Sequence, residues 1–140
     1  GFDVQPEAVR RSRELFEKNG LSDRCEFFCA GHEMMEGFIP RGLFGKVGCA
    51  FFNLGWLPGS GKSVVTKPGT TLAALRIAVG IIDKSCGFLS VASYRAHPGG
   101  LEEFRAVRGF FESAFMRAEC EVSDPEDGLS PALFYARFGG

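Results

Sequence analysis

The stretch that decides the fold runs Val47-Gly48-Cys49-Ala50-Phe51-Phe52 and continues as Asn53-Leu54-Gly55-Trp56-Leu57-Pro58-Gly59. A short apolar run that ends in turn residues predicts a buried strand over 47–52. Asn53 and Trp56 then fall in the loop at the carboxyl end of that strand, where open α/β sheets bind their ligands. An amide can hold an amine or a base edge there, while an aromatic ring stacks on a flat substrate. We therefore expect a binding site in this loop.

Helical and extended patterns alternate on both sides of this strand. They predict helices over 6–18, about 70–84 and about 101–115, with Thr70 or Thr71 capping the second helix. They predict further strands ending at Asp3 and over 25–29, 88–94, 118–122 and 132–138, with a turn over 32–38 and a long loop over 59–69. This alternation is typical of an α/β fold with a doubly wound, mostly parallel sheet. We predict a single domain over residues 1–140.

The composition is that of a globular protein, with 45% hydrophobic and 24% charged residues and a net charge of −1. This charge gives no evidence for a nucleic-acid partner, although a local basic patch would suffice for one. The longest apolar segment, 72–82, contains Arg76 and is too short to span a bilayer, so we expect no membrane partner. Five widely spaced cysteines without a CxxC pair argue against a metal site. They indicate reduced, mostly buried thiols and a cytoplasmic protein.

The segment 55–63 nearly matches a phosphate-binding P-loop, but two features exclude that interpretation. The pattern requires a glycine where Trp56 stands. It also requires a helix after Lys62, and the residues that follow, Val64-Val65-Thr66-Lys67-Pro68-Gly69, disfavour one. A nucleotide hydrolase that uses Gly61-Lys62-Ser63 is therefore the least favoured function.

Polar residues follow three of the predicted strands. An acidic residue placed like Asp3 accepts hydrogen bonds from ribose hydroxyls in dinucleotide-type folds, or it serves only the helix dipole. His32-Glu33, taken alone, indicates a polar turn. His97-Pro98-Gly99-Gly100 is a stronger signal, because two glycines let the backbone approach a ligand and a histidine can bind substrate or move a proton. A simple capping turn is the alternative.

Three basic residues flank these loops and could meet phosphates or be ordinary surface charges: Lys62, Lys67 and Arg95.

In combination, the segments resemble one family. The matching residues are Asn53-Leu54-Gly55-Trp56-Leu57-Pro58-Gly59 with Lys62 and Thr66, Thr70-Thr71-Leu72, and His97-Pro98-Gly99-Gly100 with Glu103. In order and spacing they resemble the YtqB/MnmM-like S-adenosylmethionine (SAM)-dependent methyltransferases, long labelled rRNA methylases, over essentially the whole chain.

The resemblance implies a Rossmann-like class I methyltransferase fold and SAM as cofactor. It implies methylation of the aminomethyl group on the wobble uridine of certain bacterial tRNAs, with the tRNA anticodon region as partner; a homodimer stays open. The implied catalytic residues are Asn53, Trp56 and His97. The implied cofactor-binding residues are Asp3, His32, Asn53, Leu54 and Gly55. The implied substrate-binding residues are Trp56, Lys62, Thr66, Arg95, His97, Gly99 and Gly100.

The sequence departs from the family pattern in three places. Trp56 stands where the family usually has Tyr, and Ala30 stands where an Asp would contact the adenine. A strand, a Gly-rich turn for the methionine part of the cofactor, a helix and a second strand, on the order of 40 residues, have no counterpart here. We expect an unpaired edge on the 47–52 strand and weak or no SAM binding by these residues alone. A non-catalytic fragment or interaction module derived from such an enzyme is the alternative function.

Overall fold

The computed structural model describes residues 1–55, 64–113, 118–122, 127 and 129–139. Its strands are β1 (Phe2–Asp3), β2 (Phe28–Cys29), β3 (Cys49–Asn53), β4 (Phe88–Ser93), β5 (Ala118–Val122) and β6 (Ala132–Arg137). Its α-helices are α1 (Pro6–Lys18), α2 (Pro68–Ile81) and α3 (Gly100–Ser113). Short 3-10 turns lie at Ser22–Arg24, His32–Gly37 and Arg41–Leu43. The predicted elements are thus present, although the strand predicted over 25–29 is reduced to its last two residues.

Helix α2 begins earlier than the sequence predicted and also ends earlier. Pro68 takes its first turn, where the fixed φ of proline suits a helix and its missing N–H costs nothing. No side chain caps the helix at Lys67, so the prediction of a threonine cap was wrong. Thr71 is instead fully buried and bonded to a residue of α3. The Thr71 hydroxyl therefore bonds a distant residue and does not cap the helix.

The described strands form a two-stranded and a four-stranded sheet. Strands β1 and β2 are parallel, with Phe2 opposite Phe28. The larger sheet has the order β3-β4-β6-β5, in which β3 and β4 are parallel and β6 is antiparallel to both of its neighbours. The α/β class is confirmed, and the sheet is mixed because β5 and β6 are joined by a short connection that only an antiparallel pair allows.

Strand β3 is an edge strand among the described residues, as the sequence predicted. Its hydrogen-bonded neighbour is β4, and it is not paired to the two-stranded sheet. The two sheets meet through side chains. The His32 ring packs edge-on against Phe52, with 5.8 Å between ring centroids, and Phe2 packs against the main core.

The core lies between one face of the larger sheet and the helices α2 and α3. Alternate strand residues point into it, among them Phe52, Val91 and Phe134, and Phe134 stacks on Phe111 of α3 at 5.5 Å. The residues between them point to the opposite face, where Phe51 is 73% exposed. One face of this sheet is therefore packed and the other is open within the described part of the chain.

The four cysteines whose burial the structure describes are not the core residues that the sequence indicated. Cys25 is half-buried, and Cys29, Cys49 and Cys86 are exposed. The reduced state of the thiols stays a prediction.

Candidate functional site

The candidate site lies where the parallel strands β3 and β4 end. Asn53 is paired with Ala92, so the two chains leave the sheet at the same edge. The Leu54 N–H donates to the Ala92 carbonyl at 2.9 Å, which carries the pairing one residue further. Leu54 is buried and anchors this exit, while the Asn53 side chain is exposed and reaches solvent. The geometry therefore presents a neutral amide at the ligand-binding edge of the sheet.

Gly55 brings its backbone against the residues that follow β4. Its φ of 121° lies in a region that L side chains rarely adopt. A Cβ at this position would lie 3.7 Å from the Tyr94 ring and 3.9 Å from Nε2 of His97. The first loop is thus in close contact with the second.

The His97 turn is held together by a second close approach. A Cβ on Gly100 would lie 2.5 Å from the Tyr94 carbonyl oxygen and 2.9 Å from Nε2 of His97, so this position has room only for glycine. Nδ1 of His97 lies 3.0 Å from the Pro98 carbonyl oxygen, which can only accept. This contact fixes the orientation of the ring, with Nε2 on the side of Gly55 and Gly100.

A buried carboxylate lies behind these loops. Glu103 is 1% exposed and accepts hydrogen bonds from the hydroxyls of Thr66 and Thr71, each at 2.6 Å. Thr66 in turn accepts the Gly55 N–H at 2.9 Å. The sequence matched Glu103 to the family pattern but gave it no role, because an acidic residue in the first turn of a helix ordinarily indicates a solvated dipole contact. Its burial and its partners, 32 and 37 residues earlier, appear only in the folded chain.

Asp3 and His32 lie at the ends of the two-stranded sheet. Asp3 Oδ1 accepts the Gln5 N–H at 2.8 Å, a contact that also orders the start of α1. Burial lowers the pKa of His32 below its usual value of 6.5, although the nearby carboxylates of Glu33, Glu103 and Asp3 act in the opposite direction. A carboxylate acceptor and a largely uncharged ring thus stand at this edge.

The structure brings some of the residues implied by the resemblance together and leaves others apart. Gly55, Thr66, His97 and Gly100 form one connected group. The Arg95 guanidinium donates to the Ser130 carbonyl at 2.6 Å and to the Ser130 hydroxyl and the Asp127 carbonyl, each at 3.1 Å, and it lies over the Phe104 ring.

These contacts point Arg95 at the chain before β6. Lys67 is exposed at the start of α2, and Gly99, with φ 81°, makes the turn before α3. Trp56 and Lys62 lie outside the described residues. The roles of all these residues stay predictions.

In the described part of the chain, no group of three or more His, Cys, Asp or Glu side chains is placed to hold a metal ion. None of the described helices is long and apolar enough to cross a membrane.

The fold and this edge of the sheet define a Rossmann-like methyltransferase domain. A SAM-dependent O-methyltransferase from Thermotoga maritima shares the fold, with a TM-score of 0.58 and 14% identity over 100% of this chain and 49% of its own. The chain belongs to the rRNA methylase family: the family model described as "Putative rRNA methylase" matches residues 1–124.

Individual relatives agree with this family. The crystal structure of a "putative rRNA methylase" from Clostridium thermocellum matches this chain with a TM-score of 0.86 and 26% identity. The match covers 99% of this chain and 74% of that protein. A "putative methyltransferase" from Streptococcus mutans, in complex with SAH, has a TM-score of 0.80 and 27% identity, covering 97% and 73%. A chloroplastic tRNA (mnm(5)s(2)U34)-methyltransferase from Arabidopsis thaliana is 36% identical over a 112-residue alignment that covers 78% of this chain. The chain spans 40% of the length of that curated relative.

Proposed function

We propose that this chain forms the substrate side of a SAM-dependent methyltransferase that methylates an amino nitrogen of RNA. The finer form of the proposal is N-methylation of an aminomethyl-uridine at the wobble position of tRNA, bound through the anticodon region. The observation that carries it is the convergence of the Asn53 and His97 loops at the carboxyl ends of β3 and β4. Membership of the rRNA methylase family and the name of the Arabidopsis thaliana relative support the RNA substrate.

The proposed cofactor is SAM, which supplies an electrophilic methyl group when it is bound. The residues present suit its nucleoside part. Asp3 ends a strand and offers a carboxylate acceptor of the kind that ribose hydroxyls require. The half-buried His32 ring, whose pKa is lowered by burial, offers a flat and mostly uncharged surface beside it. The S. mutans structure with SAH supports this choice of cofactor.

The chain's own residues orient the amine. The exposed Asn53 side chain carries an amide oxygen that can accept an N–H of the substrate, which leaves the nitrogen lone pair free to attack the methyl group. His97 is buried behind Gly55 and Gly100, so it shapes this side of the site, and the proton that the amine loses passes to solvent. Holding the nitrogen in line for attack supplies most of the rate advantage in such a transfer.

Calorimetric titration with SAM tests the assignment. The titration compares this chain with a hybrid in which the strand-helix-strand portion of a relative precedes Gly1. We expect binding by the hybrid and little or none by the 140 residues. Asp3→Asn in the hybrid should weaken binding about tenfold, because it removes one charged acceptor. A hybrid that is folded but does not bind SAM would sink the assignment.

A second candidate is a non-catalytic interaction module derived from such an enzyme. Ala30, at a position where the family has an acidic residue, is the observation that favours it. The two candidates differ in one assay. A hybrid that binds tRNA but transfers no methyl group to it, with SAM in excess, would favour the module.

Homodimerisation and a cytoplasmic location stay predictions of the methyltransferase proposal.

A further inference from the structure

One buried carboxylate joins the start of α2 to the start of α3. Glu103 lies in the first turn of α3 and is 1% exposed. Its Oε1 accepts the Thr71 hydroxyl and its Oε2 accepts the Thr66 hydroxyl, each at 2.6 Å. Leaving a buried carboxylate oxygen without a donor costs more than a hydrogen bond contributes, so the two threonines are strongly held. The carboxylate thereby fixes both the start of α2 and Thr66, which lies two positions before the helix.

Thr66 passes this constraint on to Gly55. The Thr66 hydroxyl accepts the Gly55 N–H at 2.9 Å while it donates to Glu103. The Thr66 N–H donates to the Gly55 carbonyl at 3.0 Å. Thr66 thus holds both the N–H and the carbonyl of Gly55. The φ of 121° at Gly55 is an uncommon one, which such contacts maintain. The bonds end two residues from Asn53, the proposed amine ligand.

We propose that Glu103 is a positioning residue, which acts through Thr66 to hold the 53–55 backbone at a fixed distance from His97. This inference rests on the proposed function. Helix α3 begins at Gly100, directly after the His97 turn, so one helix carries both the end of that turn and the carboxylate. The two loops of the site are therefore tied to one rigid element, as accurate positioning of a reacting nitrogen requires.

Amide hydrogen exchange of Gly55 in the full chain is the first test, because it needs neither cofactor nor catalysis. Thr66→Val keeps the side-chain shape and removes the hydroxyl. We expect it to speed Gly55 exchange about tenfold, while core amides of β4 stay unchanged. Thr66→Ser, which keeps the hydroxyl, should retain the protection. Thr70→Val removes a bond to the Lys67 carbonyl outside this group and serves as the matched control, with no effect on Gly55.

A double-mutant cycle shows whether Glu103 acts through Thr66. Glu103→Met keeps the length of the side chain and removes both acceptors, and the threonine hydroxyls can turn to backbone carbonyls. We expect Glu103→Met to speed Gly55 exchange severalfold in the parent chain. In the Thr66→Val background it should add less than twofold. The inference would be overturned if Glu103→Met sped Gly55 exchange by the same factor in both backgrounds. Normal Gly55 exchange in Thr66→Val would also overturn it.

A kinetic measurement separates positioning from general stability. In the hybrid that binds SAM, Thr66→Val should lower kcat for methyl transfer at least about tenfold and leave KM for SAM unchanged, with Thr66→Ser restoring the rate. A fall in kcat together with a rise in KM and a matching loss of thermal stability would show a purely structural role and refute positioning. If the unmodified hybrid transfers no methyl group while the exchange results hold, the proposed function fails and the positioning of Gly55 stands.

Discussion

At the scale of single residues, two glycines shape the candidate site. Gly100 lets the first residue of α3 lie against the chain before it, because a Cβ there would lie 2.5 Å from the Tyr94 carbonyl oxygen and 2.9 Å from Nε2 of His97. At Gly55 a Cβ would make only ordinary van der Waals contacts, and it is the φ of 121° that favours glycine. One glycine is therefore required by space and the other by backbone conformation.

Replacement of two glycines in the same helix tests this explanation. Gly100→Ala places a methyl group 2.5 Å from a backbone oxygen, and we expect a loss of about 1–3 kcal/mol in the free energy of unfolding. Gly109→Ala, in the interior of α3 with open space around it, should raise stability by about 0.5–1 kcal/mol. Urea denaturation of both variants measures the difference. Two changes of the same sign would contradict the close-packed turn.

At the scale of elements, the two faces of β3 have different surroundings. Phe52 points into the core and packs against His32, whereas Phe51 points to the open face of the sheet. The strand also has one hydrogen-bonded neighbour among the described residues. Its stability therefore rests on the inward side chain and on pairing with β4.

Alanine at these two neighbouring positions should have very different effects. Phe52→Ala is expected to cost about 3–5 kcal/mol, because it removes a buried ring and leaves a cavity. Phe51→Ala, at 73% exposure, should cost less than about 1 kcal/mol. Chemical denaturation provides both values, and Phe52→Leu serves as a milder core variant if Phe52→Ala does not fold. A large loss from Phe51→Ala would mean that its face is covered in solution.

At the scale of the whole molecule, the two sheets are joined by side chains and not by a ladder of hydrogen bonds. His32, which follows β2, is the clearest bridge, since its ring packs on Phe52 of β3. Burial lowers the pKa of this ring, while the carboxylates of Glu33, Glu103 and Asp3 act in the opposite direction. We therefore expect the joint between the sheets to depend on pH.

Acid should weaken this joint. Burial lowers the folded-state pKa of His32 below its usual value of 6.5, so the unfolded chain binds its proton more readily. The resulting stability is present above the unfolded pKa and is lost as the pH falls through the folded pKa. His32→Gln should flatten the fall in the free energy of unfolding between about pH 7.5 and pH 5. Urea titrations across this range check it, and equal pH slopes in both proteins would refute the assignment to His32.

The sequence alone determined the elements and the order of the site residues. Hydrophobic period and turn residues predicted all three helices and the strand that ends at Asn53, because these signals are local. The same reasoning placed Asp3 at the end of a strand and His97 in the turn that follows another, where they are found. It misplaced the start of α2, because Pro68 and not a threonine cap begins the helix.

Only the tertiary structure decided the partners of these residues. The pairing of β6 with β4, the open face around Phe51 and the burial of Glu103 depend on contacts between distant parts of the chain. No local pattern distinguishes a solvated acid in the first turn of a helix from one that two threonine hydroxyls hold in the core. The sequence determined which residues stand at the edge of the sheet, and the fold decided how firmly they are held, because hydrogen bonds and burial act through space and not along the chain.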